Sequence, residues 1–125
     1  MDLVNVGPHV EAEKDALLER FFAFARRVCA VLSEEHGAWA DYIDPCSGLP
    51  MVHRNSCGVY GEVDALVTLR RYSTMNAGCC KVVLHPQWGS AVYPASLMTK
   101  ASADVTIRVL QQVADEMTAQ MEAAK

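Results

Sequence analysis

Two cysteines stand side by side in NAGCCKVVLH, residues 76–85, after an Asn-Ala-Gly turn and at the head of an apolar run. A thiolate is a strong nucleophile and a soft metal ligand, so this pair is where chemistry is first sought. Successive side chains on a strand point to opposite faces. If residues 79–85 are extended, Cys80, Val82 and Leu84 share an apolar face, and Cys79, Lys81, Val83 and His85 share a mixed one. Cys80 is then expected in the core as a small hydrophobe. Cys79 is expected at the mouth of the strand, beside Gly78, on the more accessible face. On residue types alone, structural and reactive roles for Cys79 stand level.

Other thiol chemistries have less support. A structural zinc site favours pairs such as Cys-x-x-Cys, whereas adjacent strand cysteines diverge. A redox Cys-x-x-Cys motif is absent. A cysteine nucleophile needs a histidine base brought from a distant segment, and nothing selects among His36, His53 and His85. A thiol or zinc site built from Cys46, Cys79, Cys80 and His85 remains a rival reading without support from spacing. No Gly-x-Gly-x-x-Gly or phosphate loop is present.

The elements that must hold these thiols fit one domain, residues 1–125. Hydrophobic residues make up 51% of the chain, enough for a core, and the net charge is −4. That acidity argues against a nucleic-acid partner, which needs a basic patch. No apolar run reaches the roughly 18 residues of a membrane helix. No basic and apolar start follows Met1, so no secretory signal is expected. Five cysteines without a scaffold rhythm suggest reduced thiols.

From about Val10 to Glu35 the pattern is helical. Leu17, Phe21, Ala25, Val28 and Leu32 fall at three- and four-residue steps, and Gly37 is a fitting stop. Residues 39–43 suit a strand, 44–48 a turn, and 49–53 a segment pairing back. Cys57 to Tyr60 is read as another short strand. Residues 62–73 are expected to be a helical turn followed by a strand, 75–78 a loop, and 79–85 a strand. Ala91 to Thr99 is expected as one more strand, interrupted at Pro94. From Ser102 a second helix presents Ile107, Leu110, Ala114, Met117 and Met121 as a core-facing seam. Packing of that seam on a partner helix, as in a weak homodimer, is the alternative. The order predicts an α+β fold, an antiparallel sheet covered by helices.

WADYIDPCSGLPM (residues 39–51) together with NAGCCKVVLHPQWG (76–89) resembles the methylmalonic aciduria and homocystinuria type D family, CblD, of intracellular cobalamin trafficking. The similarity runs from about Glu11 to Thr99 and is poor over 54–76. The resemblance implies the family's C-terminal domain, a nitroreductase-like fold without flavin. It implies an adaptor that is not an enzyme. Its partner would be CblC, the cobalamin-processing protein, and its cargo would pass toward methionine synthase and methylmalonyl-CoA mutase. The first cysteine of the Gly-Cys-Cys motif, Cys79, would supply a thiolate to the cobalt of CblC-bound cobalamin. Gly78 would allow close approach of the corrin, and Lys81 is offered as a nearby positive charge. Cys46 is incidental to that picture. A cytoplasmic location is expected, with a mitochondrial one besides. The rival enzyme reading is a flavin-dependent reductase on the same scaffold.

Overall fold

The structure, a computed structural model, describes residues 8–54, 60–77 and 80–124, giving the backbone alone at 63, 64, 77 and 80–82. Among the described residues, three helices and four short strands follow in order: α1 (Pro8–Glu34), β1 (Ala40–Tyr42), α2 (Glu62–Arg70), β2 (Ser73–Ala77), β3 (Cys80–Leu84), β4 (Leu97–Thr99) and α3 (Ala103–Ala123). The strands form two antiparallel pairs instead of one sheet. β1 pairs with β4, Ala40 opposite Thr99, and β2 pairs with β3, Ser73 opposite Leu84 and Ala77 opposite Cys80. The mixed α and antiparallel β composition is as expected; the single covering sheet is not.

The core lies between α1, β1 and α3. Ala25, Val28, Cys29, Val31 and Leu32 meet Ala40 and Tyr42 from β1 and Val109 and Val113 from α3. Phe21 and Phe22 close this core against the Tyr42 ring, with centroids 6.1 and 5.9 Å away. On the surface, Arg27 Nε donates to Glu116 Oε2 across 3.2 Å, linking α1 to α3. Gly37 ends α1 at a φ of +62°, and the Gly37 and Ala38 N–H groups turn back onto the Ser33 and Leu32 carbonyls. A side chain there would strain that left-handed turn.

The seam expected on α3 is rotated from the one observed. Val109 and Val113 are buried, flanked by Val105, Leu110 and Met117, while Ile107 is 64% exposed and Met121 faces outward. Ser102 caps this helix, its Oγ accepting from the Val105 N–H. Residues 75–77 belong to β2, not to a loop, and α2 runs the full nine residues to Arg70. Residues 49–53 return along β1 through the Ile43–Pro50 bridge and the Met51 N–H donating to the Tyr42 carbonyl, without forming a named strand. Residues 91–96 are irregular, and only 97–99 form a strand. Residues 57–59 of the short strand expected near Tyr60 lie outside the described residues. Among the described residues, no helix is long and apolar enough to cross a membrane.

Candidate functional site

The motif that drew attention first is carried by the β2–β3 hairpin. Its pairing extends to Ala77 opposite Cys80, with Asn76 opposite Lys81. Gly78 and Cys79 lie outside the described residues, and for Cys80 and Lys81 only the backbone is described. The expected division of β3 into a packed even face and an open odd face fails where it can be read. Val83, on the face assigned to Cys79 and Lys81, is 3% exposed, and Leu84 is only half-buried. The reason is that α2 packs against β3, so an apolar side chain on what was taken as the open face is covered. The alternation argument therefore lends Cys79 no accessibility.

The far end of β3 is an aromatic knot. His85 stacks on Trp88 at 4.4 Å between centroids and 16° between planes, and meets the Tyr72 ring edge-on at 5.7 Å. Its Nδ1 accepts from the Gln87 and Trp88 N–H groups at 3.0 and 3.2 Å. The lone pair at Nδ1 is thereby engaged by backbone. The His85–Gly89 bridge, with Gly89 at a φ of +59°, closes the turn. Of the four residues considered for a zinc site, Cys46 and His85 have described side chains. No cluster of three or more His, Cys, Asp or Glu side chains that could hold a metal is found among the described residues. Cys46 is an exposed free thiol in the Asp44–Gly48 turn. Burial pushes the Tyr93 hydroxyl's pKa up, reinforced by Cys46, Asp44 and Asp15.

One polar feature was missed in the sequence. Asp41, in the middle of β1, is 2% exposed, a charge-bearing side chain inside the core. Its Oδ1 accepts from the N–H groups of Tyr42 (2.7 Å), Met51 (3.2 Å) and Val52 (2.9 Å), and its Oδ2 from that of His53 (3.0 Å). Backbone donors converging on a carboxylate offset the desolvation that would otherwise exclude it from the interior. The carboxylate thus fastens residues 51–53 to β1 and holds the His53 ring flat against Trp39, with centroids 5.1 Å apart and planes 15° apart. Lys100 Nζ sits 5.9 Å from the Trp39 ring centre. Beside this stack a cleft of about 480 Å³ opens toward α1, lined by Arg26, Cys29, Ser33, Trp39, Val52 and His53 among others. Burial, with Asp41 nearby, raises the Cys29 thiol to about 11, so it stays protonated and unreactive at neutral pH.

A half-buried acid anchors α2. Glu62 opens that helix, and its Oε2 accepts from Ser96 Oγ at 2.5 Å, tying α2 to the approach to β4. Its Oε1 is buried without a hydrogen-bond partner among the described residues. Burial pushes its carboxyl pKa above the ordinary range, and the Ser96 hydroxyl partly opposes that.

A core of two helices around the β1–β4 antiparallel pair, together with the β2–β3 hairpin, defines a small α+β domain. Residues 2–113 match the family model described as methylmalonic aciduria and homocystinuria type D protein, and the chain belongs to that family. It is 39% identical over 103 residues to a rat protein named cobalamin trafficking protein CblD, covering 82% of this chain and 34% of the relative. The mouse protein of the same name is 37% identical over 106 residues, covering 85% of this chain and 36% of the relative. The human protein of that name is 37% identical over 103 residues, covering 82% and 34%. The chain thus spans about a third of the length of these relatives.

Proposed function

We propose that this chain works in cobalamin trafficking as an adaptor for a CblC-type cobalamin-processing protein. The observation that carries the reading is family membership over residues 2–113, a span that takes in both the Trp-Ala-Asp and the Gly-Cys-Cys-Lys segments of the sequence. The relatives' name, cobalamin trafficking protein, supports the cargo. In this proposal Cys79 is the cobalt ligand. The thiol gives its proton to solvent, and a sulfur lone pair enters an open coordination position of the partner-held cobalt, with no change of oxidation state. Gly78 keeps a side chain out of the corrin's approach, and Lys81 lowers the cost of the thiolate. The scaffold is taken as a nitroreductase-like fold that holds no flavin and performs no turnover of its own. The cargo then moves on toward methionine synthase and methylmalonyl-CoA mutase, serving cytoplasm and mitochondrion.

The test is a visible-spectrum titration of CblC-bound cobalamin with this protein. Wild type is expected to shift the cobalamin bands in a saturable way. Cys79→Ala is expected to leave the spectrum unchanged while keeping wild-type thermal stability. An adduct that forms equally well with Cys79→Ala removes the assignment, and a wild type that produces no change removes the adaptor reading.

A further inference from the structure

The charges of this chain are unevenly placed. Between Asp64 and Asp104 there is no Asp or Glu, although the chain has 15 of them, and the same stretch carries Arg70, Arg71, Lys81 and Lys100. Most of α2, and all of β2, β3 and β4, fall inside it. Neither Arg70 nor Arg71 has an ion-pair partner among the described residues, and both are exposed. An acidic chain thus shows one acid-free, cationic region.

The α2–β2–β3 unit is also poor in buried apolar surface. Its main contacts are internal, β2 with β3 and α2 with β3, and of its described side chains only Val83 is buried. A nine-residue helix and a two-stranded hairpin are each marginal in water without a covered apolar face. Yet the unit and its following turn expose Leu69 (74%), Trp88 (60%), Val67 and Met75. Large apolar side chains interspersed with unpaired arginines are the composition of an interface core and rim, in which Trp and Arg carry much of the energy.

We infer that the α2–β2–β3 unit is the docking face of this domain and that its occupant is a protein surface both apolar and acidic. The inference rests on the adaptor reading and takes the CblC-type protein as that occupant. Charge complementarity selects the acidic character, because residues 65–84 carry no acid and present Arg70 and Arg71, both exposed and without an ion-pair partner among the described residues. Arg70, Arg71 and Lys81 are too sparse for a phosphate backbone, whereas the exposed apolar side chains give a protein partner surface to bury.

The experiment measures affinity for purified, cobalamin-loaded CblC by calorimetry, using Leu69→Gln and Arg70→Glu. Both positions are exposed, and circular dichroism checks that each variant is folded. Each variant is expected to weaken binding about tenfold or more, the loss of one central anchor. Wild-type affinity is expected to fall as ionic strength rises from about 0.05 to about 0.5 M. Ile107→Gln, exposed on α3 outside the acid-free region, is expected to bind as wild type does. Sedimentation velocity of the protein alone, and co-sedimentation with phosphatidylserine vesicles or duplex DNA, complete the test. Binding by wild type that neither variant weakens overturns the docking face and leaves the adaptor reading standing. No binding by wild type overturns the adaptor reading itself. Variants that abolish only self-association, vesicle binding or DNA binding assign the face to that occupant and overturn the inference.

Discussion

Asp41→Ala should be the most damaging single substitution on the Trp39–His53 side of the molecule. The carboxylate serves four backbone N–H groups, which do not suffer equally on its removal. Val52 and His53 are exposed and can turn to water, and the Met51 N–H keeps its bond to the Tyr42 carbonyl. The Tyr42 N–H, inside β1, has no such alternative, and a buried unsatisfied donor costs about 1–3 kcal/mol. Adding the exchange of two charge-assisted bonds for bonds to water, at about 1 kcal/mol each, gives a loss of about 3–5 kcal/mol. Asp41→Asn keeps Oδ1 and its acceptor role but turns an NH₂ group toward the His53 N–H. It also removes a buried charge, which offsets part of the loss, so about 1–2 kcal/mol is expected. Urea unfolding followed by circular dichroism measures both. Hydrogen exchange should speed up first at the amides of Val52 and His53, and Trp39 fluorescence should change as its stacked imidazole is released. An Asp41→Ala protein within about 0.5 kcal/mol of wild type would refute the reasoning, because the carboxylate would then not be what fastens residues 51–53.

Further outcomes follow from Glu62 and Cys29, whose pKa values burial raises. Glu62 has its carboxyl raised by burial, so the folded state takes up a proton at higher pH than the unfolded chain does. Its contribution to stability should therefore grow as pH falls from the raised folded value toward the ordinary carboxylate value, and Glu62→Gln should remove that slope in pH-dependent urea unfolding. Ser96→Ala, which takes away the one donor to that carboxylate among the described residues, should cost about 1–3 kcal/mol at neutral pH and less in acid. Cys29 has its thiol raised to about 11, so the unfolded chain loses this proton first as pH climbs. Stability should fall between about pH 9 and 11, by at most about 2 kcal/mol, and Cys29→Ala should flatten that fall. Brief alkylation of the native protein at pH 8, read by peptide mass spectrometry, should mark exposed Cys46 at least about tenfold faster than Cys29.

How far the sequence speaks for itself can be read from these residues. Helix α1 is legible because its apolar repeat runs through seven turns and ends on a glycine that the stop requires. Helix α3 is legible as a helix but not in its rotation. Val105, Val109, Val113 and Met117 make one row, and Ile107, Leu110, Ala114, Met117 and Met121 make another at equally good spacing. Only contact with α1 and β1 chooses between them, burying Val109 and Val113 and leaving Ile107 in water. Strand β2 is hidden for a related reason. Ser-Thr-Met-Asn-Ala is a weak strand sequence that leads into a glycine, and it becomes a strand because β3 supplies its hydrogen bonds.

The same distinction separates the two parts of the candidate site. The Gly-Cys-Cys-Lys motif could be found by inspection, since adjacent cysteines are rare enough to notice. The role of Asp41 could not. Its partners are ten to twelve residues further on, and they are main-chain groups carrying no side-chain signature. A carboxylate that binds backbone makes no demand on the residue types it binds, so Met51, Val52 and His53 look like any return segment. Yet that carboxylate fixes His53 on Trp39 and shapes the wall of the cleft beside α1. In this domain the visible motif holds the proposed cobalt ligand, while the rigidity of the scaffold depends on a carboxylate that the sequence shows only as one acidic residue in a short strand. An assay of stability at Asp41 and an assay of cobalt ligation at Cys79 should therefore separate cleanly. The first variant should lose fold before it loses ligation, and the second should lose ligation with the fold unchanged.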